Sequence, residues 1–203
     1  LLYWSIKHAL ESNSIDRVIV STDDEEIAEI ALSFSAEVPF LRPKSISGDL
    51  SPGINTVLHA LENLDNIDDV LLLQPTSPLR RTFDIDEIFK IRSEYNSESA
   101  VSLTLANKHI DLFFEMNSRK IISPFSRNQK MLPRQQYKDY LTLNGSLYLS
   151  TRESIFRNRS FITSSTVGYI MPQEFSIDID TPFDWEIAEY LMSKSINPYE
   201  NYL

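Results

Sequence analysis

An α/β fold with a mostly parallel sheet is the fold class that this sequence predicts, and three observations support it. Short apolar runs alternate with segments whose apolar residues recur at helical spacing, which is typical of successive βαβ units. Residues 70–73 are continuously apolar, as expected for a central parallel strand covered on both faces. With 203 residues, of which 42% are hydrophobic, the chain has enough apolar material for one large domain.

The elements follow from the pattern in chain order. Leu2, Ile6 and Leu10 recur at helical spacing, so the chain opens within a helix. Ser51 and Pro52 are expected as the N-cap and first residue of a later helix. The predicted strands cover residues 17–21, 37–41, 70–73, 100–105, 146–150 and 167–171. The helices that follow them are predicted to begin near Thr22, Ser51, Thr82, Thr151 and Thr181.

Composition and charge exclude several classes of function. The formal net charge is −10, so non-specific binding to nucleic acid is not expected. No apolar run approaches the roughly 20 residues of a membrane span, and the first residues do not resemble a signal peptide. The chain has no cysteine, which excludes disulfides and thiolate metal sites. We therefore expect a cytoplasmic protein without nucleic-acid or membrane partners.

The regular α/β alternation fails between residues 106 and 141, which predicts an inserted subdomain. Within this region, six basic residues and no acidic residue lie between Arg119 and Lys138. A solvated basic loop would account for this composition, and so would a surface that faces an anionic ligand. The composition alone leaves both interpretations open.

Gln74 follows the apolar run 70–73 directly, and prolines at 75 and 78 stiffen the loop after it. Ligands of doubly wound sheets bind beyond the carboxyl ends of the strands, so a polar side chain at this point is a candidate ligand contact. A simple turn built from the same prolines and hydroxyl residues is the alternative.

Asp178 and Asp180 are the strongest candidates for chemistry. In an extended segment, side chains two residues apart point to the same face, so both carboxylates are expected on one side. Adjacent carboxylates repel each other unless a cation compensates them. One or two carboxylates together with substrate phosphates are the ligands that Mg²⁺ prefers. The alternative is that Asp180 helps to start the last helix and Asp178 is solvated.

Several motifs together resemble the acylneuraminate (CMP-sialic acid) cytidylyltransferase family. The most specific is Gln74-Pro-Thr-Ser-Pro-Leu-Arg80. The stretches that carry the resemblance, in the family's order, are residues 16–28, 37–43, 48–51, 72–80, 143–148 and 178–181. The resemblance implies a Rossmann-like fold with helices around the sheet, formed by residues 1–105 and 142–203, and a dimerisation subdomain at 106–141. It also implies a homodimer.

The reaction that the resemblance implies is transfer of CMP from CTP to the anomeric hydroxyl of a nine-carbon acidic sugar, such as an N-acylneuraminate or a legionaminate, with release of pyrophosphate. Asp178 and Asp180 would hold Mg²⁺, and Arg42 and Ser51 would lie along the nucleotide. The sugar would contact Gln74, Asn144, Tyr148, Arg127 and Arg134. The sugar hydroxyl is the nucleophile, so no protein nucleophile is required.

Two departures from the family pattern affect these expectations. Leu1-Leu-Tyr-Trp resembles the helix that follows the family's first strand and phosphate-binding loop, so both would be absent and activity weak. Leu141 and Thr142 stand where many members have Tyr-Arg, so either Arg127 or Arg134 would replace the arginine that pairs with the sugar carboxylate, or the substrate would differ. The alternatives are a nucleotide-sugar glycosyltransferase, whose Asp-x-Asp motif is similar to residues 178–180, and a dimerising fragment without activity.

Overall fold

Helices and strands alternate through most of the chain. The computed structural model describes residues 1–48, 50–125, 133 and 138–194. Within these residues the helices are α1 (Leu2–Leu10), α2 (Glu25–Ser33), α3 (Gly53–Glu62), α4 (Thr82–Glu94), α5 (Arg152–Asn158) and α6 (Pro182–Ser193). The strands are β1 (Asp69–Leu73), β2 (Ser99–Leu105), β3 (Phe114–Met116), β4 (Ile122–Pro124), β5 (Leu141–Thr151) and β6 (Val167–Ile170).

The main sheet has the strand order β1-β5-β2-β6 among the described residues. β5 is antiparallel to β1 and to β2, whereas β2 and β6 are parallel. Three strands therefore run in one direction and β5 runs against them, so the sheet is mixed. The prediction of a mostly parallel sheet is correct for β1, β2 and β6, which run in the same direction. It did not include the reversed direction of β5, because an apolar run has the same appearance in either strand direction.

Two of the predicted strands pair only briefly. Residues 17–21 and 37–41 meet at a parallel bridge between Ile19 and Glu37. β1, expected at the centre, lies instead at one end of the four-stranded sheet that the described residues form. The apolar pattern of β1 arises because helices cover both of its faces, which is independent of its place in the order.

The core consists of three clusters of buried apolar side chains. Ile85 and Ile88 of α4 pack with Leu147 and Leu149 of β5 on one face of the sheet. On the other face, α3 and α5 pack against the sheet, and Ile155 of α5 is fully buried there. Alternate residues of β1 contribute to the two clusters, as the period of two along a strand requires. α1 and α2 form a third, smaller cluster.

The carboxyl ends of β1, β2 and β6 lie at one edge of the sheet, because these strands run in the same direction. Gln74 follows β1, and the segment with Asp178 and Asp180 follows β6 after a short 3₁₀ turn, Gln173–Phe175. The Ile179 N–H donates a hydrogen bond to the Thr76 carbonyl at 2.9 Å, which joins these two segments directly.

β3 and β4 form a separate two-stranded antiparallel sheet within the predicted insertion. β5 begins at Leu141, one residue before the proposed return to the main domain, and continues to Thr151. The start of β5 is exposed, and its buried portion begins at Asn144. The assignment of 106–141 as a dimerisation subdomain stays a prediction.

Candidate active site

Gly145 lies at the centre of the candidate site, in a left-handed conformation with φ +73°. The pairing of β2 with β5 shifts register close to this point, between Val101 and Leu103. A residue with a side chain is strained at such a φ, whereas glycine is not. The Asn144-Gly145 pair therefore makes a bulge within β5 and not a hairpin turn.

Gln74 and Asp178 converge on this glycine. A Cβ atom placed on Gly145 would lie 2.7 Å from Asp178 Oδ2 and 2.8 Å from Gln74 Oε1. The two side chains thus approach the backbone of β5 where no side chain intervenes. The structure therefore brings together two of the predicted site residues, from the segments that follow β1 and β6.

Asn144 joins several segments of the site through hydrogen bonds of its side chain. Its side chain is 4% exposed, and its Oδ1 accepts a hydrogen bond from Ser102 Oγ at 2.6 Å. Its Nδ2 donates to Ser176 Oγ at 2.9 Å. The amide therefore connects β2, β5 and the segment that precedes Asp178. Contact between Asn144 and a sugar stays a prediction, and the hydrogen bonds observed here join it to other parts of the protein.

Asp178 carries an unsatisfied oxygen. Its Oδ1 is buried and makes no hydrogen bond, whereas Asp180 is exposed. A buried carboxylate oxygen without a partner is costly, and a cation at this point would satisfy it. The described residues contain no group of three or more side chains arranged to hold a metal ion. Two carboxylates with phosphate and water oxygens are a donor set suited to Mg²⁺, so the residues fit this ion.

Tyr148 lies on β5 close to the same carboxylate. Burial raises the pKa of Tyr148, and the charge of Asp178 raises it further. Its ring packs beside Phe161, with ring centroids 5.8 Å apart. The phenol is therefore held neutral next to the predicted metal ligand. It could donate a hydrogen bond to an anionic group there.

Arg42 lies in the loop that follows residues 37–41, and contacts with several segments hold its side chain in place. Its guanidinium donates to Ser47 Oγ at 2.9 Å and forms an ion pair with Asp23 at 3.3 Å. It also donates to the Ser21 carbonyl and to Thr56 Oγ1. These bonds hold Arg42 against the segment after residues 17–21 and against α3. Contact with a nucleotide stays a prediction.

The N-cap prediction for Ser51 is wrong. Pro52 is the N-cap of α3, and Gly53 is its first residue. The Ser51 N–H donates to the Gly48 carbonyl at 2.8 Å, which makes Ser51 part of a turn one residue earlier. Its hydroxyl is therefore not used as a helix cap, and its predicted role beside the nucleotide stays open to test. Arg127 and Arg134 lie outside the described residues.

Arg80 was not assigned a role from the sequence, although it ends the most specific motif. Its side chain is 1% exposed, and it donates to the Gln74 carbonyl at 2.7 Å. Ser102 and Ser176, which bind Asn144, were also missed. A signal existed for Ser102, because it is a polar residue within the apolar strand β2. No local pattern distinguishes Ser176.

Gln74 and Asp178 follow strands whose carboxyl ends share one edge of a mixed α/β sheet, which is where proteins of this class bind their ligands. Residues 1–193 match the sequence model of a protein family described as Cytidylyltransferase. The chain belongs to this family. The resemblance inferred from the sequence is therefore confirmed.

The curated relatives agree with this assignment. The chain is 33% identical over 198 residues to CMP-N,N'-diacetyllegionaminic acid synthase of Legionella pneumophila, covering 95% of this chain and 84% of that protein. It is 30% identical to N-acylneuraminate cytidylyltransferase of Escherichia coli, covering 99% of this chain and 49% of that protein. The chain thus spans about half the length of the N-acylneuraminate cytidylyltransferases that it matches.

Solved structures show the same fold. CMP:2-keto-3-deoxy-manno-octonic acid synthetase complexed with CTP superposes with a TM-score of 0.67 at 17% identity, covering 94% of this chain and 86% of that one. At this identity the likeness concerns the fold alone. No helix in the described part of the chain is long and apolar enough to cross a membrane.

Proposed function

We propose that this protein transfers CMP from CTP to the anomeric hydroxyl of a nine-carbon acidic sugar, an N-acylneuraminate or a legionaminate-like acid, and releases pyrophosphate. The observation that carries the proposal is the convergence of Gln74 and Asp178 on Gly145, in a chain of the cytidylyltransferase family. The relatives at 30–33% identity are named for this type of product. A chain without cysteine suits the cytoplasm, which we propose as its location.

Mg²⁺ is the proposed cofactor, with Asp178 and Asp180 as its protein ligands. The ion would supply charge compensation for the triphosphate and for the departing pyrophosphate. The support is the partnerless Oδ1 of Asp178 and the exposed carboxylate of Asp180 two residues later.

The protein residues would act mainly by positioning. The Gln74 amide lies against the same glycine as the Asp178 carboxylate, which supports a role for it in orienting a hydroxyl or carbonyl of the sugar beside the proposed metal ligand. The absence of a Cβ at Gly145 lets these two side chains lie directly against β5, because their oxygens occupy the space that a methyl group would need. Holding the two reactants in line is the largest contribution available to a transfer that needs no protein nucleophile.

A homodimer is the proposed assembly, formed through β3, β4 and the exposed start of β5. These elements expose a group of large apolar side chains: Leu105, Phe113, Phe114, Met116, Ile121, Ile122, Phe125, Leu141 and Leu143. A two-stranded sheet is marginally stable alone and gains stability when a second surface covers it. A second copy related by a two-fold axis would cover this surface on both subunits.

The dimer is tested by comparing Ile122→Glu with Leu32→Glu. Both residues are exposed, at 60% and 56%, but Leu32 lies on α2 outside the apolar group. Light scattering after size-exclusion chromatography should show a monomer for Ile122→Glu and a dimer for Leu32→Glu. Equal masses for both variants and the unmodified protein would contradict the proposed interface.

The reaction is tested by incubating the protein with CTP, Mg²⁺ and a panel of acidic nonulosonic acids, with neutral hexoses as controls. Pyrophosphate release and the mass of the CMP-sugar are measured together. UTP and ATP in place of CTP test the nucleotide preference. The proposal is supported if product forms with CTP and an acidic sugar but not with the neutral hexoses, UTP or ATP. Hydrolysis or consumption of an added CMP-sugar, with no synthesis, would favour a glycosyltransferase instead.

A further inference from the structure

Arg80 is a buried cation without a carboxylate partner. Its side chain is 1% exposed, and no ion pair joins it to an acidic residue in the part of the chain that the structure describes. Burial lowers the pKa of Arg80 to about 10, and the charge of Asp84 partly opposes this shift. Burying an unpaired charge destabilises a protein, so a residue kept in this state needs a compensating role.

The guanidinium makes four hydrogen bonds to three separate segments. Its Nη2 donates to the Gln74 carbonyl at 2.7 Å, and its Nε donates to the carbonyl and to the hydroxyl of Ser146, both at 3.1 Å. Its Nη1 donates to Ser5 Oγ on α1 at 3.2 Å. Three of the four acceptor atoms belong to Gln74 and to Ser146, the residue after Gly145, and these residues lie on the two sides of the candidate site.

We propose that Arg80 is a positioning residue for CMP transfer, and that it sets the separation between the Gln74 loop and the Gly145 bulge of β5. The inference rests on the proposed function for its catalytic consequence, but its structural content stands on the four hydrogen bonds alone. The planar guanidinium directs its donors to fixed and divergent positions. A lysine ammonium, although charged, is a single point of donors and cannot span the same acceptors.

The position of Arg80 also affects Asp178. The Gln74 loop holds the Asp178 segment through the bond from the Ile179 N–H to the Thr76 carbonyl. If the loop moves away from β5, this bond and the approach of Asp178 to Gly145 both loosen. Arg80 therefore acts on the proposed metal ligand through the loop, without contacting it.

The test compares Arg80→Lys with Arg92→Lys. Arg92 lies in the last turn of α4 and is mostly buried, but it binds Asp69 at the start of β1, the end opposite Gln74, with bonds of 2.6 and 2.5 Å. Both substitutions keep the charge and remove a two-pronged interaction. Arg80→Met, which removes the charge as well, is the third variant.

Hydrogen exchange followed by mass spectrometry reports on positioning without any need for turnover. In Arg80→Lys, exchange in the peptides covering residues 74–79, 143–150 and 176–180 should rise on the order of tenfold or more, since hydrogen bonds to a charged group are lost. In Arg92→Lys these peptides should keep the exchange of the unmodified protein. Unchanged exchange at all three segments in Arg80→Lys would overturn the inference.

Kinetics supply the second measurement. With activity normalised to folded protein well below the melting temperature, Arg80→Lys should lower kcat by on the order of a hundredfold, as small displacements of positioning groups do. Arg80→Met should lose at least as much, and Arg92→Lys should retain kcat. A normal kcat per folded molecule of Arg80→Lys would show a purely structural role and refute the proposal. If the unmodified protein makes no CMP-sugar, the proposed function fails, and the exchange data alone decide the inference.

Discussion

Substituting Gly145 by alanine tests the geometry of the site most directly. The new methyl group would lie 2.7 Å from Asp178 Oδ2, about 0.7 Å closer than the 3.4 Å at which ordinary van der Waals contact begins. It would lie 2.8 Å from Gln74 Oε1 as well. Both oxygens would have to move, and the backbone at φ +73° would be strained in addition.

The expected loss of stability comes from two sources. A left-handed backbone costs an alanine roughly 1–2 kcal/mol, and forcing a side chain away from its preferred rotamer costs about 0.5–1.5 kcal/mol. Because both side chains must move, we expect a loss of roughly 2–5 kcal/mol in the free energy of unfolding. The activity should fall further, by about 10²-fold, because displacements near 1 Å at a reacting centre have effects of that size.

Gly53→Ala is the matched control. Gly53 begins α3, and a Cβ atom there meets nothing within 4 Å. Alanine at such a position is expected to change stability by under about 1 kcal/mol, and in the stabilising direction. Urea unfolding and pyrophosphate release from CTP with an acidic nonulosonic acid would be measured for both variants and the unmodified protein.

The reasoning would be refuted if Gly145→Ala matched Gly53→Ala in both stability and activity. A loss of stability with normal activity per folded molecule would show that Gln74 and Asp178 are not catalytic or substrate-binding groups. A loss of activity with unchanged stability would show that the backbone at Gly145 relaxes at no cost.

Three further predictions concern charge and assembly. Asp180→Asn should abolish most activity while leaving the melting temperature within a few degrees, because the exposed carboxylate stabilises the proposed Mg²⁺ and not the fold. The free energy of unfolding should decrease as the pH falls from about 7 through the ordinary His pKa of about 6.5. The reason is that burial lowers the pKa of His8 in the folded state, so the unfolded chain takes up the proton first. In urea titrations, His8→Gln should remove this pH dependence. Mixing Asp180→Asn with Arg127→Ala/Arg134→Ala subunits should restore activity if these arginines serve the partner's site.

Each of these predictions has a result that contradicts it. Near-normal turnover of Asp180→Asn at limiting Mg²⁺ would remove Asp180 from the metal site. An unchanged pH dependence in His8→Gln would assign the effect to another group. Proven subunit exchange without recovered activity, between two inactive parents, would place Arg127 and Arg134 outside a shared site.

Local pattern was sufficient for many elements of this protein. The helical spacing of Leu2, Ile6 and Leu10 predicted α1, and Thr181 with Asp184 forms the capping box that opens α6. The alternation of apolar runs and helices predicted an α/β sheet, and the short motifs predicted the family. These features depend on residues within a few positions of one another, so the sequence shows them directly.

Tertiary structure alone decided how the site is assembled. The direction of β5, the burial of Asn144 and the convergence of Gln74 with Asp178 on Gly145 involve residues 30 to about 100 positions apart. Hydrophobic periodicity shows which face of an element is buried, but it does not show which element covers that face or in which direction it runs. For the same reason Arg80 stood in the sequence as one polar residue of a loop, and only packing showed that its guanidinium joins α1, β5 and the loop after β1.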